Sequence, residues 1–558
     1  MKFEAQSRFF EDLDHVFTQM IMKLQGLLDS LSSESQVNVP ILLLSLQTVK
    51  LYSDQLVLAV DTCERERKLR KRYMGELSIL DSKFTSIAEI FDYAVNMNPE
   101  DLFCKEKSHP RWQKLLGHVR VHTFEQPELL QKHLKKIIYS INAANAFVSK
   151  ACERTGKTSR KLMMGLGAVY YSAAKKKALR KARFTLAKPS IEIAKIAWNL
   201  MDSKLMAPML EKLSVDICIN KLIFVPRVSV RDIETAISDP VIQTEIPTDR
   251  INPHFSYSRV EGEDKIGIRI LSPFPIPALH INPPNCGCFG SAHAPGLAAP
   301  PKAVVFHIHG GGFIAMSSRS HQSYTRKWAN ELQTVIFSVD YRLAPEHPYP
   351  AAVDDVWAAY LWVVGFAKGC LGVPTEGIVV TGDSAGGNLA CALINKAIES
   401  NLPRLIPQGS LLSYPALWVS YARYSPSAER ALEDFIIHHT FLKLCIQSYV
   451  QNSAVDPNVD YFVSPLMSPE QNLRRFPPIR ILMGTLDPLE DDCWRFGERL
   501  IEAGVDFQMV LYEGLPHGFL GFDLKFNGVR ETRVAVEQGS RYLRELMWMG
   551  EGSVRINS

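Results

Sequence analysis

The sharpest chemical signal in the chain is a serine with glycines two residues before and two residues after it. The segment reads Gly382-Asp383-Ser384-Ala385-Gly386-Gly387. It follows the apolar run Ile378-Val379-Val380-Thr381 and opens a helical pattern from about Asn388. This is Gly-x-Ser-x-Gly between a strand and a helix. A serine there sits on a strained turn, and the flanking glycines remove side chains that would clash. Its hydroxyl is exposed at the sheet edge, and the helix N-terminus behind it favours a developing negative charge. The chemistry implied is nucleophilic attack by Ser384 on an acyl carbon.

Such attack needs an oxyanion site, a base and an acid. His309-Gly310-Gly311-Gly312-Phe313 follows the apolar run 303–308. Consecutive glycines let backbone N–H groups turn into a cavity where a tetrahedral oxyanion forms. His309 reads as a turn-stabilising histidine rather than the base. His307 and His309 alternate along one strand, but a metal site there is not expected. The acid and base should follow the serine in the order Asp/Glu, then His. Asp487, in Gly484-Thr485-Leu486-Asp487, lies nearest the end of a strand over 479–483. Asp491 and Asp492 read as charges at a helix N-terminus. His517, in Leu515-Pro516-His517-Gly518-Phe519, lies in the loop after a strand over 507–511. His438-His439 lacks that position.

The elements that hold these residues follow from apolar patterning. Strand-like runs at 303–309, 335–339, 378–381, 479–483 and 507–511 alternate with helical patterns near 320–332, 353–367, 386–400, 490–503 and 530–547. That alternation predicts a mostly parallel sheet with helices on both faces, an α/β catalytic domain over 302–550. Lys265–Leu271 could add an early strand. Ser272 to Pro301 carries eight Pro and three Gly and reads as a linker. Residues 1–271 read as a mainly helical N-terminal domain, serving as a lid or for binding lipid or a partner. Phe10, Leu13, Phe17, Met20, Ile21 and Leu24 recur at helical spacing there, as do Leu130, Leu134, Ile137 and Ile141.

Composition excludes several classes. The 558 residues are 46% hydrophobic and 22% charged, ordinary for a globular chain. A net charge of +4 gives no reason to expect a nucleic-acid partner. The stretch from Lys150 to Lys188 holds twelve Lys/Arg against Glu153 alone, interleaved with Leu162, Met163, Val169 and Tyr170. It reads as a solvated helix face or as a segment drawn to anionic lipid. Gly156-Lys157-Thr158 lacks the earlier glycine of a phosphate loop, since Ala151 stands there. Cys286 and Cys288, with only His280 and His293 nearby, do not make a zinc site. The other thiols read as reduced, as in an intracellular protein. The start, Met1-Lys2-Phe3-Glu4, shows no signal-peptide run, and runs such as Trp357–Ala367 are too short to span a membrane. A cytoplasmic protein, or one peripheral to a membrane, is expected.

Together these residues resemble the hormone-sensitive lipase family of α/β-hydrolases. The resemblance covers roughly 300–547, through His309–Gly312, Tyr341-Arg342-Leu343-Ala344-Pro345-Glu346, Gly382–Gly387, Asp487-Pro488-Leu489 and His517-Gly518-Phe519. The long helical first half is similar to the animal members. The resemblance implies a triad of Ser384, Asp487 and His517 and oxyanion donors at Gly311, Gly312 and Ala385. His309, Gly310, Gly382, Asp383 and Gly386 support those motifs, and no cofactor or metal is implied. It also implies hydrolysis of diacylglycerol, triacylglycerol, monoacylglycerol, cholesteryl and retinyl esters at lipid droplets. A homodimer, a fatty-acid-binding protein as partner and control by phosphorylation follow in the same way. One departure is plain. Mammalian members carry a long Ser/Thr-rich insertion in the catalytic half, whereas Tyr414 and Ser464 here are fifty residues apart and Arg423-Tyr424-Ser425-Pro426-Ser427 is at most its remnant. Two rival readings are a soluble carboxylesterase for short-chain esters and a non-catalytic ligand receptor. The receptors of this fold lose the histidine found here as His517.

Overall fold

The computed structural model describes residues 110–153, 157–203, 206–238, 262, 264–279, 303–420, 425–432, 434–451, 454–525 and 528–553, together with six single positions before residue 110. The helical periodicity from Phe10 to Leu24, the pair Cys286 and Cys288 with His280 and His293, and Arg423-Tyr424 lie outside the described residues.

Among the described residues, nine strands form one sheet: β1 (Val119–His122), β2 (Ile219–Pro226), β3 (Lys265–Ser272), β4 (Ala303–Ile308), β5 (Ile336–Asp340), β6 (Gly377–Asp383), β7 (Gly409–Ser413), β8 (Ile479–Gly484) and β9 (Phe507–Tyr512). Their order is β1-β9-β8-β7-β6-β4-β5-β3-β2. All neighbours run parallel except at β3, which is antiparallel to both β5 and β2. The fold is α/β, with the mostly parallel sheet that the alternation of patterns predicts and the α/β-hydrolase architecture that the resemblance implies. Every residue of β4, β6, β7 and β8 is buried. Strands covered on both faces lose the in–out alternation and read as continuous apolar runs. The helices Gln322–Leu332, Ala351–Leu371, Ala385–Glu399, Glu490–Glu502 and Arg533–Ser553 fall where the apolar periodicity places them.

The division expected near residues 271 to 302 does not match the structure. Three strands of the sheet, β1 to β3, come from before residue 273. The chain separates into two units of another composition. One contains Tyr139–Ile193 and Tyr421–Lys443; the other contains Pro110–Ile138, Ala194–Ser420 and Leu444–Ser558. The reason is backbone pairing. β1 continues the sheet beyond β9, and the adjacent helix Pro110–Leu115 is held by a bidentate Arg111–Glu498 pair at 2.6–3.0 Å. Edge pairing of this kind needs no apolar run, so periodicity does not reveal it.

The first unit is helical in its described part. Ala143, Ala146 and Ala178 form a small-residue core against Tyr139 and Tyr171. Gly167 allows close helix approach, because a Cβ there would lie 2.9 Å from Phe147 Cβ. The helix Lys157–Ala173 leaves Leu162, Leu166, Val169 and Tyr170 exposed at a four-, seven- and eight-residue spacing, one face of a helix. Lys175, Lys176 and Lys177 follow it, also exposed. Among the described residues no helix is long and apolar enough to cross a membrane.

Candidate active site

Ser384 stands between the end of β6 and the helix Ala385–Glu399, with φ 56° and ψ −119°. That positive φ is strained for a residue with a Cβ. The turn closes because its neighbours are glycine. A Cβ on Gly382 would lie 2.3 Å from Gly386 O, and one on Gly386 would lie 2.0 Å from Ile308 O. Backbone bonds fix the serine itself. Its N–H donates to Ser413 O at 2.9 Å, and its carbonyl accepts from Ala416 N at 3.1 Å. From Gly377 to Asn395, Ser384 is the one residue that is not buried. The strain therefore has a consequence: it turns one hydroxyl out of an otherwise closed strand and helix.

His517 and Asp487 reach the same point. His517 Nε2 lies 2.8 Å from Ser384 Oγ, and His517 Nδ1 lies 2.8 Å from Asp487 Oδ2. The carboxylate can only accept, so Nδ1 carries its proton toward Asp487 and Nε2 is left to accept from the serine hydroxyl. Asp487 has a fully buried side chain and His517 is 5% exposed. The other oxygen of Asp487, Oδ1, accepts from Leu489 N at 2.9 Å. The loops that carry the two residues brace each other. Leu486 N donates to Leu515 O at 3.0 Å, and Gly514 N to Thr485 Oγ1 at 2.9 Å. Gly484 permits this approach, because a Cβ would meet Leu515 O at 2.2 Å. Lys327 Nζ then holds the loop beyond His517 through Asp523, at 2.6 Å from its carboxylate and 2.8 Å from its carbonyl.

The glycine loop after β4 lies against the serine turn. Gly311 has φ 113° and Gly312 φ 59°. A Cβ on Gly311 would sit 2.1 Å from Ala315 O, and one on Gly312 would sit 2.7 Å from Cys445 Sγ and 3.1 Å from Trp198. Both N–H groups are without a backbone acceptor among the described residues. Ala385 opens its helix, where the first N–H groups have no intrahelical partner. The three backbone donors singled out in the sequence are therefore available for a ligand oxygen.

Behind the loop lies a buried network that sequence reasoning did not find. Asp383 Oδ1 accepts from Gly310 N at 3.0 Å and from Tyr324 OH at 2.9 Å, and its Oδ2 lies 3.4 Å from His321 Nε2. Tyr324 gives its one proton to Asp383, so it accepts from His307 Nε2 at 2.9 Å; His307 Nδ1 then accepts from Ser338 Oγ at 2.7 Å. His309 Nδ1 donates to Gly310 O at 2.7 Å, and its ring stacks on Tyr341 at 4.3 Å. This agrees with a turn-stabilising histidine. Asp383 thus ties the serine turn, of which it is part, to the first glycine of the loop. His321 and Tyr324 carry no local motif; only burial beside Asp383 marks them.

The charges in this network are set by burial and pairing. Burial works to raise the Asp383 pKa, but His321, His307 and the Tyr324 hydroxyl outweigh it and hold the carboxyl well below its ordinary range. Burial, with the His321 charge beside them, pushes His307 down to about 3 and His309 down to about 4. Both rings are neutral in the folded chain near pH 5, whereas in the unfolded chain they protonate below about 6.5. Unfolding then takes up protons, and stability falls as pH drops from 6.5 toward 5. The expected loss over that window is on the order of 2 kcal/mol per ring. It is read as a lower urea midpoint at pH 5 than at pH 6.5; equal midpoints would contradict neutral burial.

A family described as alpha/beta hydrolase fold matches residues 305–521. Hormone-sensitive lipase of Mus musculus is 32% identical over 271 residues, which are 47% of this chain and 34% of that protein. Esterase LipI of Mycobacterium tuberculosis is 35% identical over 244 residues, 43% of this chain and 69% of that one. A solved esterase of Pyrobaculum calidifontis is 28% identical, covering 51% of this chain and 81% of its own, with a TM-score of 0.42. The chain thus spans about a third of the length of the hormone-sensitive lipase it matches.

Proposed function

The chain belongs to the α/β-hydrolase family, and on that footing we propose that it hydrolyses carboxylic esters by a serine-dependent, two-step route. The carrying observation is the unbroken line of hydrogen bonds from Ser384 Oγ through His517 to Asp487, at 2.8 Å each. His517 takes the Ser384 proton as Oγ attacks the ester carbonyl. The N–H groups of Gly311, Gly312 and Ala385 receive the oxyanion, and His517 passes the proton to the leaving alcohol. Water, activated by the same histidine, then releases the acid from the acyl-enzyme. Asp487 holds the ring in the tautomer that leaves Nε2 free to accept.

The substrates we propose are acylglycerols, diacylglycerol first, with cholesteryl and retinyl esters as further members of the class. Similarity to a hormone-sensitive lipase over the catalytic half supports this reading. The exposed Leu162, Leu166, Val169 and Tyr170 beside Lys175–Lys177 support attachment to a lipid surface, since apolar side chains next to lysines suit an anionic interface. The second reading is a soluble carboxylesterase for short esters, favoured by the comparable similarity to Esterase LipI.

Hydrolysis rates for emulsified diacylglycerol and for monomeric p-nitrophenyl butyrate separate the two. Cleavage of both is expected, with the rate on diacylglycerol rising once the emulsion forms. Cleavage of the soluble ester alone would overturn the lipase reading in favour of the second.

A further inference from the structure

We propose that His321 is a positioning residue for ester hydrolysis: as an imidazolium it holds the Asp383 carboxylate, and through it the Gly310 N–H, so that the glycine loop keeps its place against Ser384. The proposal rests on the reading of Ser384 as nucleophile and of the glycine loop as the oxyanion site. It assigns to His321 a part that neither the triad nor the loop motif contains.

His321 is buried and immediately precedes the helix Gln322–Leu332. Its Nδ1 lies 2.9 Å from Ser317 O, and a carbonyl can only accept, so Nδ1 carries a proton. Its Nε2 lies 3.4 Å from Asp383 Oδ2 and also accepts from the Gly310 N–H at 3.3 Å, a proton that Gly310 shares between this ring and Asp383 Oδ1. With Nε2 protonated the ring donates to Asp383, and Gly310 donates to Asp383 Oδ1 at 3.0 Å. With Nε2 bare, the ring competes for the Gly310 N–H, and Asp383 is left as a buried carboxylate without its counter-ion. The two protonation states therefore make different demands on Gly310, the residue just before the two donors Gly311 and Gly312. A buried carboxylate that loses its partner carries a large penalty, which the loop can relieve only by moving.

The groups that face the ring are the carboxylates of Asp383, Asp202 and Asp340, the rings of His307 and His309, and the Tyr324 phenol. Burial disfavours the charged ring, but Asp383 outweighs it, and the His321 pKa stands above the ordinary histidine value. The folded pKa is raised, so the charged arrangement is intact below it and is lost as pH rises through it. His321 supplies an alkaline limb in kcat.

The test is the pH profile of kcat and KM for p-nitrophenyl butyrate in the full chain and in His321→Gln. The glutamine amide keeps a donor toward Asp383 but does not ionise. The parent is expected to show the alkaline limb. The variant should lose that limb, lower kcat on the order of tenfold to hundredfold and leave KM within about twofold, since only the loop is misplaced. An unchanged limb, or an unchanged kcat, would overturn the proposal. If His321→Gln does not fold by circular dichroism, Tyr324→Phe serves instead. It removes one donor from Asp383, strengthens the pull on His321 and should move the alkaline limb to higher pH; a limb that stays in place would overturn the proposal. Histidine-selective ¹³C NMR of the resting chain reads the same titration without turnover. One ring is expected to titrate above the ordinary range, and no such ring would overturn the proposal. A chain inactive on every ester sinks the esterase reading while this NMR result still stands or falls by itself.

Discussion

Ser384→Ala is expected to abolish hydrolysis of p-nitrophenyl butyrate, with a loss on the order of 10⁴–10⁶-fold in kcat, while the chain stays folded. The loss is large because Oγ is the atom that forms the acyl bond, and it is the hydroxyl that donates to His517 Nε2 at 2.8 Å. The fold survives because alanine keeps the Cβ that the φ of 56° already accommodates. The backbone bonds of residue 384 to Ser413 and Ala416 also do not involve the side chain. Circular dichroism and the thermal midpoint of the variant check this. Turnover within tenfold of the parent in a folded variant would remove Ser384 from the mechanism.

Gly311→Ala is the second large effect, with kcat falling on the order of 10²–10³-fold and KM changing little. Two facts combine. The φ of 113° is open to glycine and not to alanine. The new Cβ would sit 2.1 Å from Ala315 O and 2.9 Å from Ala315 C, both backbone atoms that cannot rotate aside. The loop must shift, and the shift takes the Gly311 and Gly312 N–H groups away from the forming oxyanion. Ground-state binding depends on them less than the transition state does, so the loss falls on kcat. Steady-state kinetics on p-nitrophenyl butyrate reads the split. A KM that rises tenfold with kcat unchanged would assign the glycine loop to substrate binding instead.

The chemistry of this chain is legible in its sequence because each reacting group sits at the carboxyl end of a buried strand, in a turn that glycine or proline marks. Ser384 follows β6, Asp487 follows β8 and His517 follows β9, and those strands are largely apolar, broken by Thr381 and Asp383 in β6, Arg480 in β8 and Gln508 in β9. The structure brings the three together at the expected order and spacing, with the glycine loop beside them. β7 escapes notice because Gly409-Ser-Leu-Leu-Ser413 is short and half polar; its burial comes from neighbours on both sides. β1 escapes because Arg120 and His122 alternate with valines at a sheet edge, and pairing to β9 rather than apolarity holds it.

The position of the boundary is misread for the same reason. Helical periodicity reports an apolar face but not the partner it packs on. Residues 194–202 belong with the hydrolase unit: Asn199 Oδ1 accepts from Met316 N at 2.5 Å, just past the glycine loop, and Trp198 flanks Gly312. His321 and Tyr324 are hidden for a further reason. Their partner is Asp383, some sixty residues along the chain, and no local pattern encodes a contact between a helix start and a strand end. A tyrosine and a histidine three residues apart at a helix start read as ordinary amphipathic positions until burial is known.

The most direct measurement is covalent. The intact chain is treated with a fluorophosphonate ester, which traps a serine that a neighbouring base has activated, and its mass is then mapped by peptide. One adduct per chain on the peptide containing Ser384 is expected, formed rapidly near neutral pH, slowed in His517→Ala and absent in Ser384→Ala. A chain that takes up no adduct, or takes it up elsewhere, contradicts ester hydrolysis through Ser384.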